Sequence, residues 1–234
     1  GGARVPPPWV DTEAIRPLDR ATSLLAEQLG LRGRHVVLCA GNMGLSQDTD
    51  SLLAAAAMLR QRQDVHFLVI GHGARWQQMA DFQATHGLTN LTVLPSQPPR
   101  ALPAALALAQ IAVVSIGAGY EGLLLPSRTC YHMAAGAALL GICSPDSDLC
   151  AAIEDAGCGT TVPPGQPDRV AAAIEWLLAD PVRLAACQAN ARRAAVSRYS
   201  RRQVTQAFVE MLGELGCAVH RPGQRSPRFR ISRD

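Results

Sequence analysis

The 234-residue sequence contains no lysine, so every permanently charged basic side chain is an arginine. The net charge of +3 at pH 7 is too small to indicate a nucleic-acid-binding protein. Aromatic residues make up only 4% of the chain, and no apolar run reaches the roughly 18–20 residues that a membrane-spanning helix requires. No basic and then apolar leader segment is visible, so we expect a cytoplasmic protein. Any cation that binds phosphate must be arginine, whose forked guanidinium can bond two oxygen atoms at once.

Cysteine and histidine are present, but not in the spacings that hold metals or form a disulfide framework. The 7 cysteines are odd in number, and no two of them are spaced as Cys-x-x-Cys. The 6 histidines are scattered along the chain, without a ligand pair on one helical face. We therefore expect reduced, buried thiols, no metal and no cofactor.

Short apolar runs alternate with segments of helical periodicity. The runs are rich in Val, Ile and Leu and predict strands at residues 35–40, 65–70, 91–94, 111–116, 138–143 and 159–162. Helices are predicted at residues 48–62, 76–82, 100–109, 126–135, 147–156, 167–178, 181–197 and 201–215. Apolar strands that alternate with helices are typical of a parallel sheet covered on both faces. The predicted fold class is α/β, with a doubly wound, Rossmann-like parallel sheet.

Composition divides the chain into a central domain and two flanking regions. Residues 1–34 are rich in proline and then weakly helical, and we interpret them as a linker with a first helix. Residues 35–217 contain all the predicted strands, and we expect them to form one Rossmann-like domain. Residues 218–234 are rich in arginine and lack an apolar pattern, which predicts either a loose tail or a contact with an anionic membrane surface.

Glycines gather directly after the first, second and fourth predicted strands. They are Gly41, Gly44, Gly71, Gly73, Gly117, Gly119 and Gly122. In doubly wound sheets, ligands bind outside the carboxyl ends of the strands, where glycine allows the backbone to approach closely. Several glycine loops at one edge favour a shared ligand. The alternative is that these glycines serve only to turn the chain.

The segment Leu125–Arg128 is the sharpest local signal of an anion site. Pro126 suits a first helical turn, and Ser127 is a good capping residue. The free amides of a helix start favour phosphate, and Arg128 adds a bidentate donor. The alternative is an ordinary capped helix with an exposed arginine.

Two further segments border the predicted sheet edge. Glu121 lies among glycines after the fourth strand, where a carboxylate can accept bonds from sugar hydroxyls. The backbone of residues 94–97, after the third strand, can pair with the edge of a nucleobase. A solvated loop acid and a simple turn are the respective alternatives.

Several stretches together resemble a known family. They are Trp9–Asp11 followed by Arg16 and Pro17, Ala40–Gly44 with Gln47, Val69–Gly73, and Leu125–Arg128 with Met133–Gly136. In this order they resemble the C-terminal, donor-binding half of GT-B glycosyltransferases of group 1, also called family 4. The loop at Ala40–Gly44 is similar to that of the N-acetylfucosamine transferase type, which builds bacterial surface polysaccharides.

The resemblance implies a nucleotide-diphosphate sugar donor, linked to UDP or GDP, and a metal-independent transfer that retains the anomeric configuration. For the donor diphosphate it implies contacts with Gly41, Asn42, Gly44, Leu125, Ser127 and Arg128. For the base and ribose it implies Gly71, Gly73, Leu94, Gln97 and Tyr131, and for the donor sugar it implies Glu121.

The sequence departs from the family pattern at positions that carry charge. Tyr131 stands where the family has the glutamate that holds ribose hydroxyls, and the other glutamate of that motif falls near Leu123. Asn42 and Gln47 stand where the first loop of the family commonly has Arg and Lys. These changes alter the expected ribose and phosphate contacts.

The resemblance also implies partners. We expect a separate N-terminal domain that binds a saccharide or lipid-linked acceptor, and little transfer by this chain alone. The protein would then act in the cytoplasm or at the inner face of the plasma membrane. The rival interpretations are a nucleotide-sugar epimerase or Rossmann oxidoreductase domain, and a non-catalytic module that docks to a partner. The first loop lacks the Gly-x-Gly-x-x-Gly pattern of the dinucleotide-binding classes.

Overall fold

A six-stranded parallel sheet forms the centre of the computed structural model, which describes residues 6–120 and 125–214. The strands are β1 (His35–Asn42), β2 (Val65–His72), β3 (Leu91–Pro95), β4 (Ile111–Ser115), β5 (Ala138–Ile142) and β6 (Gly159–Val162). Their order in the sheet is β3-β2-β1-β4-β5-β6, so the winding reverses between β1 and β4. The predicted doubly wound α/β class is confirmed.

Helices cover both faces of this sheet. They are α1 (Leu24–Gln28), α2 (Thr49–Met58), α3 (Trp76–Thr85), α4 (Leu102–Leu106), α5 (Ser127–Ala134), α6 (Asp148–Ala156), α7 (Pro167–Ala179), α8 (Pro181–Arg198) and α9 (Arg201–Glu214), with a 3-10 turn at Pro99–Ala101. Alternate residues of β1 enter two separate apolar clusters, as the two-residue period of a strand requires. Helices α2, α3 and α7 close one cluster, and α4, α5 and α6 contribute to the other.

The structure differs from the sequence prediction mainly at the ends of elements. Strands β1 and β2 run two residues past the predicted ends, because Gly41 pairs with Gly71 and Asn42 pairs with His72. The helix predicted to reach residue 62 ends at Met58 and continues as hydrogen-bonded turns. The helix predicted at residues 100–109 is divided into the 3-10 turn and the short α4.

Part of the segment before β1 packs onto the sheet domain. Val10 is completely buried and bonds to α8 and α9 through Tyr199 O and the Arg201 amide, at 2.9 and 3.0 Å. Ile15 lies in the same apolar cluster as β4 and α5. The predicted arginine-rich tail at residues 218–234 lies outside the described residues. Within the described ranges, no helix combines the length and apolar character needed to cross a membrane.

Candidate functional site

The carboxyl ends of β1 and β4 meet where the winding of the sheet reverses, which is the position where doubly wound sheets bind ligands. Residues 41–47, which we call the first glycine loop, cross this point. The Gly117 amide donates to Ser46 O at 2.7 Å, and the Gly165 amide donates to the carboxylate of Asp48 at 2.7 Å. The loop and the residue that follows it, Asp48, are therefore fastened to the segments that come after β4 and β6.

Arg128 lies directly on the first glycine loop. Its guanidinium donates to Gln47 Oε1 and to Asn42 O, each at 2.9 Å. A Cβ atom added to Gly41 would lie 3.7 Å from Arg128 Cζ, so the side chain passes over this glycine. The side-chain amide of Gln47 also donates to Asn42 O, so Asn42, Gln47 and Arg128 form one hydrogen-bond network. The structure thus brings Arg128 onto Gly41 and Asn42, which precede it by more than eighty positions in the sequence.

The charge of Arg128 has no anionic partner in the described part of the chain. Both of its hydrogen-bond acceptors are neutral, and no described carboxylate lies within ion-pair distance of it. Burial lowers the pKa of the guanidinium from its ordinary value. A partly desolvated cation without a counter-charge at a sheet edge favours an anionic ligand.

The start of α5 differs in one respect from the expectation that Ser127 caps it. Pro126 occupies the N-cap position, and Ser127 is the first helical residue, exposed and without a side-chain capping bond. The expectation was wrong because Ser127 already has helical geometry, whereas a capping side chain acts from the extended residue before the helix, which here is Pro126. The Thr129 amide donates to Pro126 O at 2.9 Å, whereas the amides of Ser127 and Arg128 have no acceptor among the described residues and can serve an anion. Leu125 is half-buried and packs against the core, so it supports the helix start.

Gly71 and Gly73 are needed for the close packing of β1 against β2. A Cβ on Gly71 would lie 1.9 Å from Gly41 O, and one on Gly73 would lie 2.3 Å from Asn42 Oδ1. Gly73 also has a φ of +120°, which favours glycine. Gly44 lies in the first glycine loop, where its carbonyl accepts a hydrogen bond from the backbone amide of Gln47 at 3.2 Å. The predicted contacts of Gly44, Gly71 and Gly73 with a nucleotide-sugar donor stay a prediction.

The other residues predicted for base and ribose have local partners. The indole of Trp76 donates to Leu94 O at 3.0 Å, and the Gln97 amide donates to Pro95 O at 2.9 Å. Gln97 also lines a groove between α1 and α4, away from the first glycine loop. Tyr131 is half-buried against the core on α5. Glu121, predicted to bind the donor sugar, lies outside the described residues.

Two polar residues at the same edge were missed by the sequence analysis. His72 is the last residue of β2 and is exposed, and its Nδ1 lies 2.7 Å from Ser96 Oγ, just beyond β3. The register places His72 beside Asn42. The sequence did carry a signal for them, because a polar residue stands at or just after the end of each of the strands β1, β2 and β3.

A cavity of about 490 Å³ lies between the first glycine loop and the segments that follow β4 and β6. Its lining includes Leu45, Gln47, Arg75, Tyr120 and Gly165. Arg75 donates to Asp50 at 3.1 Å, so this arginine already has a carboxylate partner. Leu45 is 66% exposed and Tyr120 is 42% exposed, which leaves an apolar rim on a polar cavity.

Comparison with known proteins gives the family. A sequence model described as "Glycosyl transferases group 1" matches residues 34–180. This match covers more than half of the chain, so the chain belongs to the group 1 glycosyl transferases.

Individual relatives are similar over most of this chain but extend well beyond it. The "probable glycosyltransferase" WbjE of Pseudomonas aeruginosa is 23% identical over 71% of this chain and 42% of its own length. The "GDP-mannose-dependent alpha-(1-6)-phosphatidylinositol monomannoside mannosyltransferase" of Mycolicibacterium smegmatis is 26% identical over 88% of this chain and 55% of its own length. The chain therefore spans about half the length of these relatives.

Solved structures show the same fold. The crystal structure of HepE from Anabaena in complex with UDP-glucose superimposes with a TM-score of 0.75 at 17% identity. The similarity covers 88% of this chain and 56% of HepE. The predicted Rossmann-like half of a GT-B fold is therefore confirmed.

Proposed function

We propose that this chain is the nucleotide-diphosphate-sugar-binding domain of a glycosyltransferase that acts on a polysaccharide or glycolipid acceptor. The observation that carries the proposal is the position of Arg128. Its guanidinium rests on the first glycine loop at the point where the winding of the sheet reverses, and it faces no described counter-charge. The family assignment and the UDP-glucose bound to HepE support a nucleotide-sugar ligand.

The proposed chemistry follows from where negative charge develops. When the glycosidic bond to the donor diphosphate breaks, charge accumulates on the departing nucleotide. The Arg128 guanidinium and the amides at the start of α5 would stabilise that charge, since both are donors aimed at one edge. Metal independence is part of the proposal, because the guanidinium would provide the positive charge that a metal ion otherwise supplies.

We place the donor sugar beside the first glycine loop, in the cavity rimmed by Leu45 and Tyr120. Glu121 follows Tyr120 in the sequence and remains our candidate for its hydroxyls. The N-acetylfucosamine type of donor is supported by the similarity of Ala40–Gly44 and Gln47 to that type of first loop. We propose no particular base, and both UDP and GDP are ligands to be tested.

An acceptor-binding domain would complete the enzyme. The support is that the matched relatives are about twice as long as this chain, so this chain corresponds to about half of each. We propose that the acceptor is a saccharide or lipid-linked saccharide, and that the whole enzyme works at the inner face of the plasma membrane. The arginine-rich residues 218–234 would contribute to a peripheral contact with anionic lipid.

Calorimetric titration of the chain with UDP, GDP and their sugars tests the proposal. We expect binding of at least one of them, and a loss of about 10- to 100-fold in Arg128→Ala, because charge-assisted hydrogen bonds contribute about 1.5–3 kcal/mol. Arg169→Ala, an exposed arginine on α7, is the matched control and should bind as the parent does. NAD⁺ serves as the ligand of the rival oxidoreductase interpretation. Binding of NAD⁺ alone, or of none of these ligands, would contradict the proposal.

A further inference from the structure

The edge of the sheet carries a row of polar side chains that continues from the Arg128 contact. Asn42 ends β1, His72 ends β2 at the paired position, and Ser96 follows the end of β3. Adjacent strands lie roughly 4.8 Å apart, so His72 lies about one strand spacing from Asn42 and Ser96 about two. The row leads from the guanidinium toward the outer strand of the sheet.

The open direction along this edge is toward β2. On the other side, the first glycine loop crosses the end of β4, where the Gly117 amide donates to Ser46 O. On the β2 side, His72 and Gly73 are exposed. A ligand whose diphosphate contacts Arg128 and Asn42 therefore has its free path over His72.

His72 is held in place by the protein but keeps one ring nitrogen free among the described residues. Its carbonyl accepts from the Met43 amide at 2.6 Å, and its Nδ1 is 2.7 Å from Ser96 Oγ. The remaining nitrogen, Nε2, has no partner in the described residues. Leu94 O and the side-chain nitrogen of Gln97, by contrast, already have bonds within the chain.

We propose that His72, oriented by Ser96, binds the ribose of the nucleoside diphosphate. The Ser96 hydroxyl can donate to or accept from Nδ1, so Nε2 is an acceptor in one tautomer and a donor in the other. A ribose hydroxyl both donates and accepts, and it therefore matches either tautomer. Ribose is joined to the α-phosphate, which places it next to the diphosphate along this row. The inference rests on the proposed function.

The test compares ligands that differ in one group. Calorimetric titrations would use the better of UDP and GDP, its 2′,3′-dideoxy form, and inorganic diphosphate, each with the parent protein and with His72→Ala. We expect the parent to prefer the ribose form about 5- to 20-fold, and His72→Ala to lose that preference. The affinities for the dideoxy form and for inorganic diphosphate should be unchanged in the variant.

Two further variants separate a contact from a general disturbance. Ser96→Ala should lose part of the preference, because the ring remains but is no longer oriented. His86→Ala, another exposed histidine, should behave as the parent does. If His72→Ala keeps the preference, or loses affinity equally for all three ligands, the ribose assignment is wrong while the diphosphate site stands. If the parent binds no nucleotide, the proposed function and this inference both fall.

Discussion

At the scale of single residues, the properties of Arg128 come from its neighbours. Its two acceptors among the described residues are an amide oxygen and a backbone carbonyl, so the side chain is positioned without being neutralised. The motif around residues 125–128 predicts a phosphate-binding role for Arg128, and that role stays a prediction. It could not predict that Gln47 orients the side chain, because Gln47 reaches it only through the folding of a loop 81 positions away.

The effect of the shape of the Arg128 side chain on nucleotide binding can be tested separately from the effect of its charge. Arg128→Lys keeps the cation but replaces the planar fork by a single ammonium, which can no longer bond Gln47 and Asn42 O in the same geometry. We expect nucleotide affinity between that of the parent and that of Arg128→Ala in the same titration. If Arg128→Lys binds as the parent does, the fork geometry has no role in binding.

Two buried histidines predict how stability depends on pH. Burial lowers the pKa of His132 to about 3, with a smaller contribution from Arg128, and burial together with Arg34 lowers the pKa of His66 to about 4. Both rings stay neutral in the folded protein, whereas the unfolded chain takes up protons near pH 6.5. The contribution of these histidines to the free energy of unfolding is therefore fully present above about pH 6.5 and is lost as the pH falls toward 4.

Urea unfolding at pH 7 and pH 5 measures this effect. Each histidine should cost about 2 kcal/mol of unfolding free energy over this interval, since one pKa unit corresponds to about 1.4 kcal/mol. His132→Leu should remove about half of the histidine-dependent slope. An unchanged slope in that variant would mean that His132 titrates normally in the folded protein.

At the scale of elements, the ends of β1 and β2 shape the site. The strand interiors could be predicted because runs of Val, Ile and Leu mark them directly. Their last two residues could not, since glycine, asparagine and histidine have low strand preference, and only the pairing with a neighbour makes them extended. The 3-10 turn at Pro99–Ala101 was missed for a similar reason: the alanine and leucine pattern hides the interruption by Pro99 and Pro103.

Gly71→Ala tests this close pairing. The new Cβ would lie 1.9 Å from Gly41 O, and because the obstacle is backbone, the two strands must separate. We expect a loss of about 3 kcal/mol or more in urea unfolding, together with loss of nucleotide binding. Gly44→Ala is the control, since its nearest atoms would lie 3.8 Å away, and it should change stability by less than about 1 kcal/mol. A Gly71→Ala protein as stable as the parent would contradict the observed strand spacing.

At the scale of the whole molecule, the fold class was predictable because strand and helix signals alternate regularly. The participation of the N-terminal segment in the core was not, because Val10 and Ile15 lie among prolines and charges that read as a linker. In addition to the backbone bonds of Val10, Arg192 of α8 holds this segment, because it donates to Thr12 O, Ile15 O and Ala134 O at 2.9–3.0 Å. One side chain thus joins the segment before β1 to α5 and α8.

Arg192→Ala should loosen this junction. Three carbonyl groups lose a charged donor, and hydrogen bonds to charged groups contribute about 1.5–3 kcal/mol, so we expect a loss of at least about 2 kcal/mol in urea unfolding. Arg193→Ala, an exposed neighbour on the same helix, should change stability by less than about 0.5 kcal/mol. Equal stabilities for the two variants would show that the junction contributes little.

The central claim is that the rim formed by the first glycine loop and the start of α5 binds a diphosphate. A crystal structure of this chain soaked with UDP or GDP tests it most directly. We expect phosphate oxygens within hydrogen-bond distance of the Arg128 guanidinium and of the amides in the first turn of α5. A nucleotide bound at another place, with the rim empty and Arg128 in its present contacts, would contradict it.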